Sequence, residues 1–188
     1  LAGGVSWTLR HPAFAIARIV VQGELAHNNA VTLRANVAPQ ISGNFFTVNL
    51  QSVRRAFEQV PWVRTAQVRR EFPRTLRVQL QEHHAAAHWG PESGTAMVNS
   101  LGEVFESNGV DTELDDLLRL DGPPGTSPQL LAMAQALSPL FEPLGLELGS
   151  LSLSVRGGWR ATLGDGAVVE LGGGTPPEVV ARAQHFAQ

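Results

Sequence analysis

The clearest pattern in this chain is an alternation of apolar and polar residues in two neighbouring runs on either side of Pro73. Apolar residues recur at every second position, which is the period of a strand with one buried face. In the first run, Phe72 continues the apolar set. Proline cannot donate to a strand ladder, so Pro73 marks a turn. The pattern predicts a β-hairpin of Val63–Phe72 and Thr75–Glu82, with one apolar face and one arginine-rich face.

Three further elements are predicted before this hairpin. A run rich in β-branched residues, Ile16–Gly23, predicts a strand. Two stretches with apolar residues at helical spacing each follow asparagines, which are preferred N-cap residues. These predicted helices are Ala30–Val37, after Asn28 and Asn29, and Leu50–Val60, after Asn49. The order β-α-α-β-β predicts two helices packed on one face of a three-stranded sheet.

The rest of the chain predicts short strands, tight turns and two helices. Ser127, followed by Pro128 at the first helical position, begins a helix that extends to about Phe141. Pro139 lies near the end of this helix and is expected to bend or end it. Thr175 and Glu178 form a capping box for a last helix that continues to Gln188. The predicted strands are Thr95–Asn99, Glu103–Glu106, Leu114–Leu120, Leu146–Val155, Trp159–Leu163 and Val168–Leu171. The whole chain is therefore predicted to be α+β, with a mixed sheet and packed helices in its second part.

Charge divides the chain into two parts. Residues 1–84 carry ten Arg and four Glu, a net charge of +6, and residues 85–188 carry four Arg and thirteen acidic residues, a net charge of −9. A break of this size at the end of a strand predicts a domain boundary near Ala85. We therefore expect an N-terminal linker over 1–13, a first domain over 14–84 and a second over 85–188.

Both ends of the chain suggest a longer parent protein. Leu1–Leu9 is uncharged and contains Trp7, so it is compatible with the last turns of a membrane-spanning helix, and an irregular chain end is the alternative. At the other end the chain stops within a predicted helix. We therefore expect further strands in the parent protein and an open sheet edge near Trp159–Leu171.

The candidate catalytic and metal-binding residues do not match the spacing of any known catalytic or metal-binding motif. The chain has no cysteine, and of His83, His84 and His88 only the last two share a strand face, roughly 13 Å apart. Gly172–Gly174 before a helix resembles a phosphate cradle, but the chain has no lysine for a P-loop, so a turn is expected. Asp115–Asp116 lies beside a loop and is expected to be solvated. The sequence predicts no enzyme, no cofactor and no metal site.

The arginine-rich face of the hairpin is a candidate binding surface. A phosphate backbone is one possible ligand, but the acidic second half and a pI near 6.1 argue against nucleic acid. An acidic lipid, a protein partner and an ordinary charged sheet face remain open. The residues concerned are Arg64, Arg69, Arg70, Arg74 and Arg77.

Five ordered segments of the chain resemble one known family. They are the strand Ile16–Gly23 followed by Glu24, F-F-T-V-N-L at 45–50, P-W-V-R-x-A-x-V-R-R-x-F-P-x-x-L-x-V-x-L-x-E at 61–82, A-A-A-H-W at 85–89 and M-V-N-S-L-G-E-V-F at 97–105. Together they resemble the FtsQ/DivIB cell-division proteins of bacteria. The resemblance covers roughly residues 14–186.

The resemblance implies a fold, a place and a role. It implies a POTRA domain (β-α-α-β-β) followed by an FtsQ-type β-domain, both periplasmic. The parent protein is then anchored in the inner membrane by one N-terminal helix and is concentrated at the division septum. Members of the family are implied to be non-enzymatic divisome assembly proteins that bind FtsB and FtsL. They are also implied to link FtsK to the septal peptidoglycan synthases FtsW and FtsI.

The resemblance also suggests partner-binding residues. Arg156 and Trp159 match an R-x-x-W stretch beside the edge that is implied to pair with FtsB, although a core position is the stronger interpretation of Trp159. For recruitment the candidates are Val20, Arg69 and Arg70, together with the second helix. The departure from the family lies at the end of the chain, where strands carrying much of the pairing edge are expected.

A second protein class is compatible with the same first domain. POTRA-type polypeptide-handling modules belong to outer-membrane assembly and secretion proteins, in which tandem repeats precede a barrel. No such repeat is visible in this sequence. A hydrolase, the third class considered, would need a local motif such as G-x-S-x-G, and the sequence contains none.

Overall fold

The computed structural model describes residues 12–109 and 112–187 of the chain. The chain divides into two compact units, one ending at His83 and the other beginning at His84. Leu1–Leu9, the candidate end of a membrane-spanning helix, lies outside the described residues. Within the described ranges no helix combines the length and apolar character that crossing a bilayer requires.

The first unit is a three-stranded sheet with two helices packed against it. The central strand, β3, is parallel to β1 and antiparallel to β2. The elements are β1 (Arg18–Glu24), α1 (Ala30–Val37), α2 (Leu50–Glu58), β2 (Val63–Glu71) and β3 (Thr75–Glu82). This is the predicted order β-α-α-β-β, and the predicted hairpin is confirmed.

Asparagine side chains begin both helices of the first unit. The Asn29 side chain accepts a hydrogen bond from the second amide N–H of α1 at 2.8 Å. The Asn49 side chain accepts two, from the second and third amides of α2, at 3.0 and 3.2 Å. These bonds satisfy amides that have no partner within a helix. Asn28, the other cap candidate of α1, instead donates its side-chain N–H to the Glu82 carboxylate.

The core of the first unit lies between the sheet and the helices. Alternate residues of β3, from Leu76 to Leu80, point into it and meet Val53 and Phe57 of α2. Strand β1 comes so close to β3 that a Cβ atom at Gly23 would lie 2.0 Å from the carbonyl oxygen of Leu80. Glycine is therefore required at this position in β1.

Three details of the first unit differ from the sequence prediction. The first strand covers Arg18–Glu24 rather than Ile16–Gly23, and α2 ends at Glu58, two residues early. Phe72 does not lie on the apolar face, because β2 ends before it and the chain turns at Pro73. Its side chain is 82% exposed.

The second unit is a seven-stranded mixed sheet with two helices. The spatial order is β10-β9-β8-β7-β4-β5-β6, and only the β4–β7 and β7–β8 pairs are parallel. The elements are β4 (Ala85–Trp89), β5 (Ala96–Asn99), β6 (Val104–Glu106), β7 (Arg119–Asp121), α3 (Ser127–Phe141), β8 (Leu148–Leu153), β9 (Trp159–Leu163), β10 (Val168–Gly172) and α4 (Pro176–Phe186). The predicted α+β class is confirmed.

Helix α3 packs its apolar stripe on the sheet. Its buried residues include Leu130, Leu137 and Phe141, which meet Leu151 and Trp159 from the strands in one cluster. Helix α4 contacts both α3 and β10. The helix predicted from Ser127 to about Phe141 is thus confirmed, whereas the proline near its end lies inside the helix and does not end it.

The prediction of a strand over Leu114–Leu120 is largely wrong. Thr112–Leu114 forms a 3-10 turn, and the strand β7 begins only at Arg119. The His88 ring forms a 2.8 Å hydrogen bond with the Leu114 carbonyl. The Leu114 carbonyl therefore has a partner although it belongs to no strand. The strand predicted over Leu146–Val155 is also shorter, at Leu148–Leu153.

Candidate partner-binding surfaces

Strand β10 is the outermost strand at one end of the seven-stranded sheet. Leu163 donates its main-chain N–H to the Ala167 carbonyl, so alternate residues from Ala167 onward bond to β9. The main-chain groups of Val168 and Glu170 therefore point away from β9. Among the residues that the structure describes, no strand lies on that side. Such an edge can pair with a strand from another chain.

The usable part of this edge is short. Arg182 of α4 donates Nε to the Leu171 carbonyl at 2.6 Å and a second guanidinium N–H to the Gly173 carbonyl. These bonds occupy the far end of β10 and leave Val168–Glu170 as the accessible segment. On its outward face the Val168 side chain is 57% exposed. The neighbouring Glu170 carboxylate binds Arg160 of β9 at 2.6 Å.

The glycine run after β10 forms a turn into α4. The Thr175 N–H donates to the Glu178 carboxylate at 2.8 Å, which is the predicted capping-box bond. This backbone hydrogen bond holds the pKa of Glu178 below its usual value. A phosphate bound at the start of α4 would need free amide N–H groups, and the Glu178 carboxylate already accepts the Thr175 N–H there.

The R-x-x-W stretch lies one strand inside this edge. Arg156 is exposed in the turn between β8 and β9, where the Ser154 hydroxyl accepts the Gly158 N–H at 2.9 Å. Trp159 begins β9 and is only 2% exposed. The indole is part of the core that α3 covers, so it supports β9 and offers no surface to a partner. Of these two predicted contact residues, the structure places only Arg156 on the surface.

The uncovered face of the first unit is a second candidate surface. The strand register aligns Val20, Arg77 and Arg69 in one row across β1, β3 and β2. Val20 is half-buried and Arg69 is exposed. Arg77 also donates to the Glu71 carboxylate at 2.5 Å, and this hydrogen bond lowers the pKa of Glu71. The row is therefore a polar sheet face with one aliphatic residue at its margin.

Arg70 does not share this face, and the prediction of one common arginine face is wrong. Consecutive strand residues point to opposite faces, so Arg69 and Arg70 diverge. The Arg70 guanidinium donates to the carbonyls of Phe45 at 2.7 Å, Val48 at 2.6 Å and Phe46 at 3.3 Å. Arg70 therefore fastens the segment before α2 to β2. Its predicted role in partner binding stays a prediction.

A buried carboxylate organises the opposite end of the first unit. Glu82, at 5% exposure, accepts the main-chain N–H groups of Ala26, His27 and Asn28 at 2.9–3.0 Å. Burial alone would raise the pKa of Glu82, but these hydrogen bonds outweigh it and hold the pKa below its usual value. One side chain thus provides the hydrogen-bond acceptor for three main-chain N–H groups of the loop between β1 and α1.

The same loop packs on a buried tryptophan. The His27 ring stacks on Trp62, with ring centroids 3.6 Å apart and nearly parallel planes. Trp62 has a φ of +72°, which is rare for a residue with a side chain. Its carbonyl accepts the His83 N–H at 2.8 Å, which joins the start of β2 to the end of β3.

Sequence reasoning assigned no role to Glu82 or Trp62, although a signal for each was present. Glu82 continues the alternate positions of β3 that are buried, and a charged residue is rarely found at such a position. Trp62 and Glu82 also lie within the pattern that carries the family resemblance. Neither signal reveals that the two residues meet the β1–α1 loop, because this loop is more than thirty residues away from both.

The three histidines considered as metal ligands have different surroundings. His88 bonds to the Leu114 carbonyl, His83 donates its amide to Trp62, and the His84 carbonyl accepts the Ser100 N–H. Across the described ranges, no group of three or more metal-ligating side chains is found.

Comparison with known proteins covers both units. The family model described as "POTRA domain, FtsQ-type" matches residues 14–83, and that described as "Cell division protein FtsQ/DivIB, C-terminal" matches residues 87–188. Curated relatives named "Cell division protein FtsQ" are 40% identical in Burkholderia pseudomallei and 37% identical in both Thiomonas arsenitoxydans and Bordetella pertussis. The alignments cover 91%, 88% and 92% of this chain. The chain spans 67%, 61% and 64% of these relatives' lengths.

Proposed function

Because the chain belongs to the FtsQ/DivIB family of bacterial cell-division proteins, we propose that it acts in the divisome as an assembly protein without catalysis. Its two units then work by binding other division proteins. The parent protein is held in the inner membrane by one N-terminal helix, with both units in the periplasm and concentrated at the septum. The observation that carries the proposal is the match of both units, in order, to this family.

In this proposal the second unit binds FtsB and FtsL. The binding mode is strand addition at the end of the sheet where β10 lies. The outward main-chain groups of Val168 and Glu170 support this mode, because they extend the sheet in that direction. The exposed guanidinium of Arg156 in the next turn adds a side-chain contact. Trp159 contributes by supporting β9 from within.

The first unit is proposed to serve recruitment and to connect FtsK with the peptidoglycan synthases FtsW and FtsI. Val20 and Arg69 are the accessible predicted residues on its uncovered face. The alternative role, a polypeptide-handling module of an outer-membrane assembly or secretion protein, would place a further POTRA repeat or a barrel after the first unit. The match of residues 87–188 to the FtsQ/DivIB C-terminal model favours the divisome role.

A binding titration tests the FtsB/FtsL proposal. A purified periplasmic FtsB–FtsL segment is titrated against these 188 residues and against the longer product of the same gene. Saturable binding by the longer protein alone would support the proposal and place the site beyond β10. Binding by both would place it on the residues described here. If neither binds while both are folded, the FtsB-pairing proposal fails.

If the 188-residue chain binds, two variants locate the site. Val168→Pro removes the outward N–H of β10, and Val168→Thr is the matched control that retains it. We expect the proline variant alone to weaken binding, by roughly tenfold for the loss of about one hydrogen bond. Arg156→Glu then tests the side-chain contact. Equal binding by all three variants would exclude β10 and its neighbouring turn.

A further inference from the structure

Two exposed phenylalanines lie at one end of the sheet in the first unit. Phe72, in the β2–β3 turn, is 82% exposed, and Phe46, in the segment before α2, is 49% exposed. A single exposed apolar residue is common, but here two exposed rings are carried by segments that Arg70 joins at one end of the sheet. The partner-binding surfaces described above use neither residue.

Hydrogen bonds connect the segments that carry these two rings. Arg70, two residues before Phe72, donates to the carbonyl of Phe46 and to those on either side of it. The Phe46 ring also packs edge-on against Phe14 and Phe45, with centroids 5.3 and 5.1 Å away. Phe46 is therefore held in place by its own neighbours, while the Phe72 turn extends into solvent.

The chain enters the first unit at this same end. The Arg74 carbonyl, in the Phe72 turn, accepts the main-chain N–H of Ala17 at 2.9 Å, and the Phe14 carbonyl accepts that of Phe45. The uncharged segment Leu1–Leu9, with its tryptophan, precedes these contacts by only a few residues along the chain. A surface that is reached directly from an apolar segment is suited to a bilayer.

The charge at this end is positive. Arg18 and Arg74 are exposed beside the two turns, and Glu71, the acidic residue at the end of β2, is bonded to Arg77. Residues 1–84 together carry a net charge of +6. Guanidinium groups at the surface of a bilayer bind anionic phosphates, while aromatic rings enter the boundary between headgroups and acyl chains.

We propose that this end of the first unit, formed by Phe46, Phe72, Arg18 and Arg74, binds the surface of an anionic lipid bilayer. Phe72 enters the headgroup boundary, and Arg18 and Arg74 lie at the level of the phosphates. A convex turn fits a deformable bilayer, whereas a folded protein would need a matching pocket for the tip. Such binding would set the orientation of the first unit on the membrane. This inference goes beyond the divisome role and stands independently of it.

The test is co-flotation of the 188-residue protein with vesicles of phosphatidylcholine, with or without 30% phosphatidylglycerol, the molar fraction being about that needed for a clearly negative surface. We expect binding to the anionic vesicles, weakened by salt. Phe72→Ser should lower the partition coefficient by about tenfold, as burial of one aromatic ring predicts. Arg74→Glu should lower it by a similar factor.

The matched control is Phe186→Ser, since Phe186 is also an exposed phenylalanine, at 57%, but lies at the end of α4 in the second unit. Its partition coefficient should equal that of the unmodified protein. Equal binding by the Phe72→Ser and Phe186→Ser proteins would overturn the proposal and assign any vesicle binding to other residues, such as Leu1–Leu9. Absence of binding, or equal binding to both vesicle types, would also overturn it. The proposal would also fail if the Phe72→Ser protein bound vesicles as well as the unmodified protein but bound a division protein more weakly. That result would make the Phe72 turn a protein contact.

Discussion

The two units of this chain are stabilised in different ways. The buried apolar cluster of the second unit has nineteen members among the described residues, and that of the first has ten. The first unit compensates with polar side chains that hold backbone at both ends of its sheet, Glu82 at one and Arg70 at the other. A small sheet with two short helices buries too little apolar surface to specify its loops by packing alone.

Among the described residues of the second unit, the two buried polar ones, Asn99 and Ser127, both act at one turn. Buried Asn99 accepts the N–H groups of Leu101 and Glu103 within its own turn. Buried Ser127 donates to the Gly102 carbonyl and joins α3 to that turn. These bonds arrange one corner of the second unit, whereas Glu82 and Arg70 hold the backbone at opposite ends of the sheet in the first unit. The comparison predicts that core truncation matters most in the second unit and loss of polar bonds in the first.

The largest effect is expected from Trp159→Ala in the second unit. Removing a fully buried indole leaves a cavity against α3, so the free energy of unfolding should fall by roughly 3–5 kcal/mol. Chemical denaturation followed by circular dichroism measures the loss. Val155→Ala, at a side chain that is 90% exposed, should change stability by less than about 0.5 kcal/mol. Similar losses in the two variants would contradict this account of the core.

The next effect is expected from Glu82→Ala in the first unit. Three loop amides and the Asn28 side chain lose their acceptor, and we expect a loss of about 2–4 kcal/mol. Hydrogen exchange should show faster exchange at 26–28 and unchanged protection in the second unit. Uniform acceleration across both units would mean that Glu82 does not act locally.

A smaller effect separates two neighbouring arginines. Arg70→Ala should cost about 1–2 kcal/mol, because three carbonyls lose a charged donor. Arg69→Ala, on the uncovered face, should change stability by less than about 0.5 kcal/mol. Denaturation midpoints of the two variants give the comparison. A larger loss for Arg69 would show that the two faces have been assigned the wrong way round.

The smallest effect is expected from acid. The pKa of Glu82 is lower in the folded protein than in the unfolded chain, so the carboxylate stabilises the first unit at pH values above its unfolded pKa of about 4.3. This contribution is lost as the pH falls through the folded pKa, because the unfolded chain binds the proton first. A protonated carboxyl still accepts some hydrogen bonds, so acid should cost less than deletion. The free energy of unfolding, measured between pH 6 and 3, should fall less in the Glu82→Gln protein than in the unmodified protein. An identical pH dependence in the two proteins would exclude Glu82 as the source of the acid effect.

Local patterns in the sequence determined the elements of this protein. Alternation predicted the β2–β3 hairpin, and asparagine caps predicted where α1 and α2 begin, since both signals depend on residues within a few positions of one another. The start of α3 at Ser127, with Pro128 in its first turn, and the capping box of α4 were predictable for the same reason. The family resemblance added the order of the two modules.

The tertiary structure decided which distant residues meet. The sequence indicated partner binding near Trp159, but only the β9–β10 register shows that Val168 and Glu170 direct their main-chain groups outward and that the indole is buried. Strand alternation alone places Arg69 and Arg70 on opposite faces, but only the structure shows that Arg70 meets the carbonyls of the segment before α2. The role of Glu82 likewise depends on the parallel pairing of β1 with β3, which brings the β1–α1 loop to its carboxylate and which no local pattern encodes.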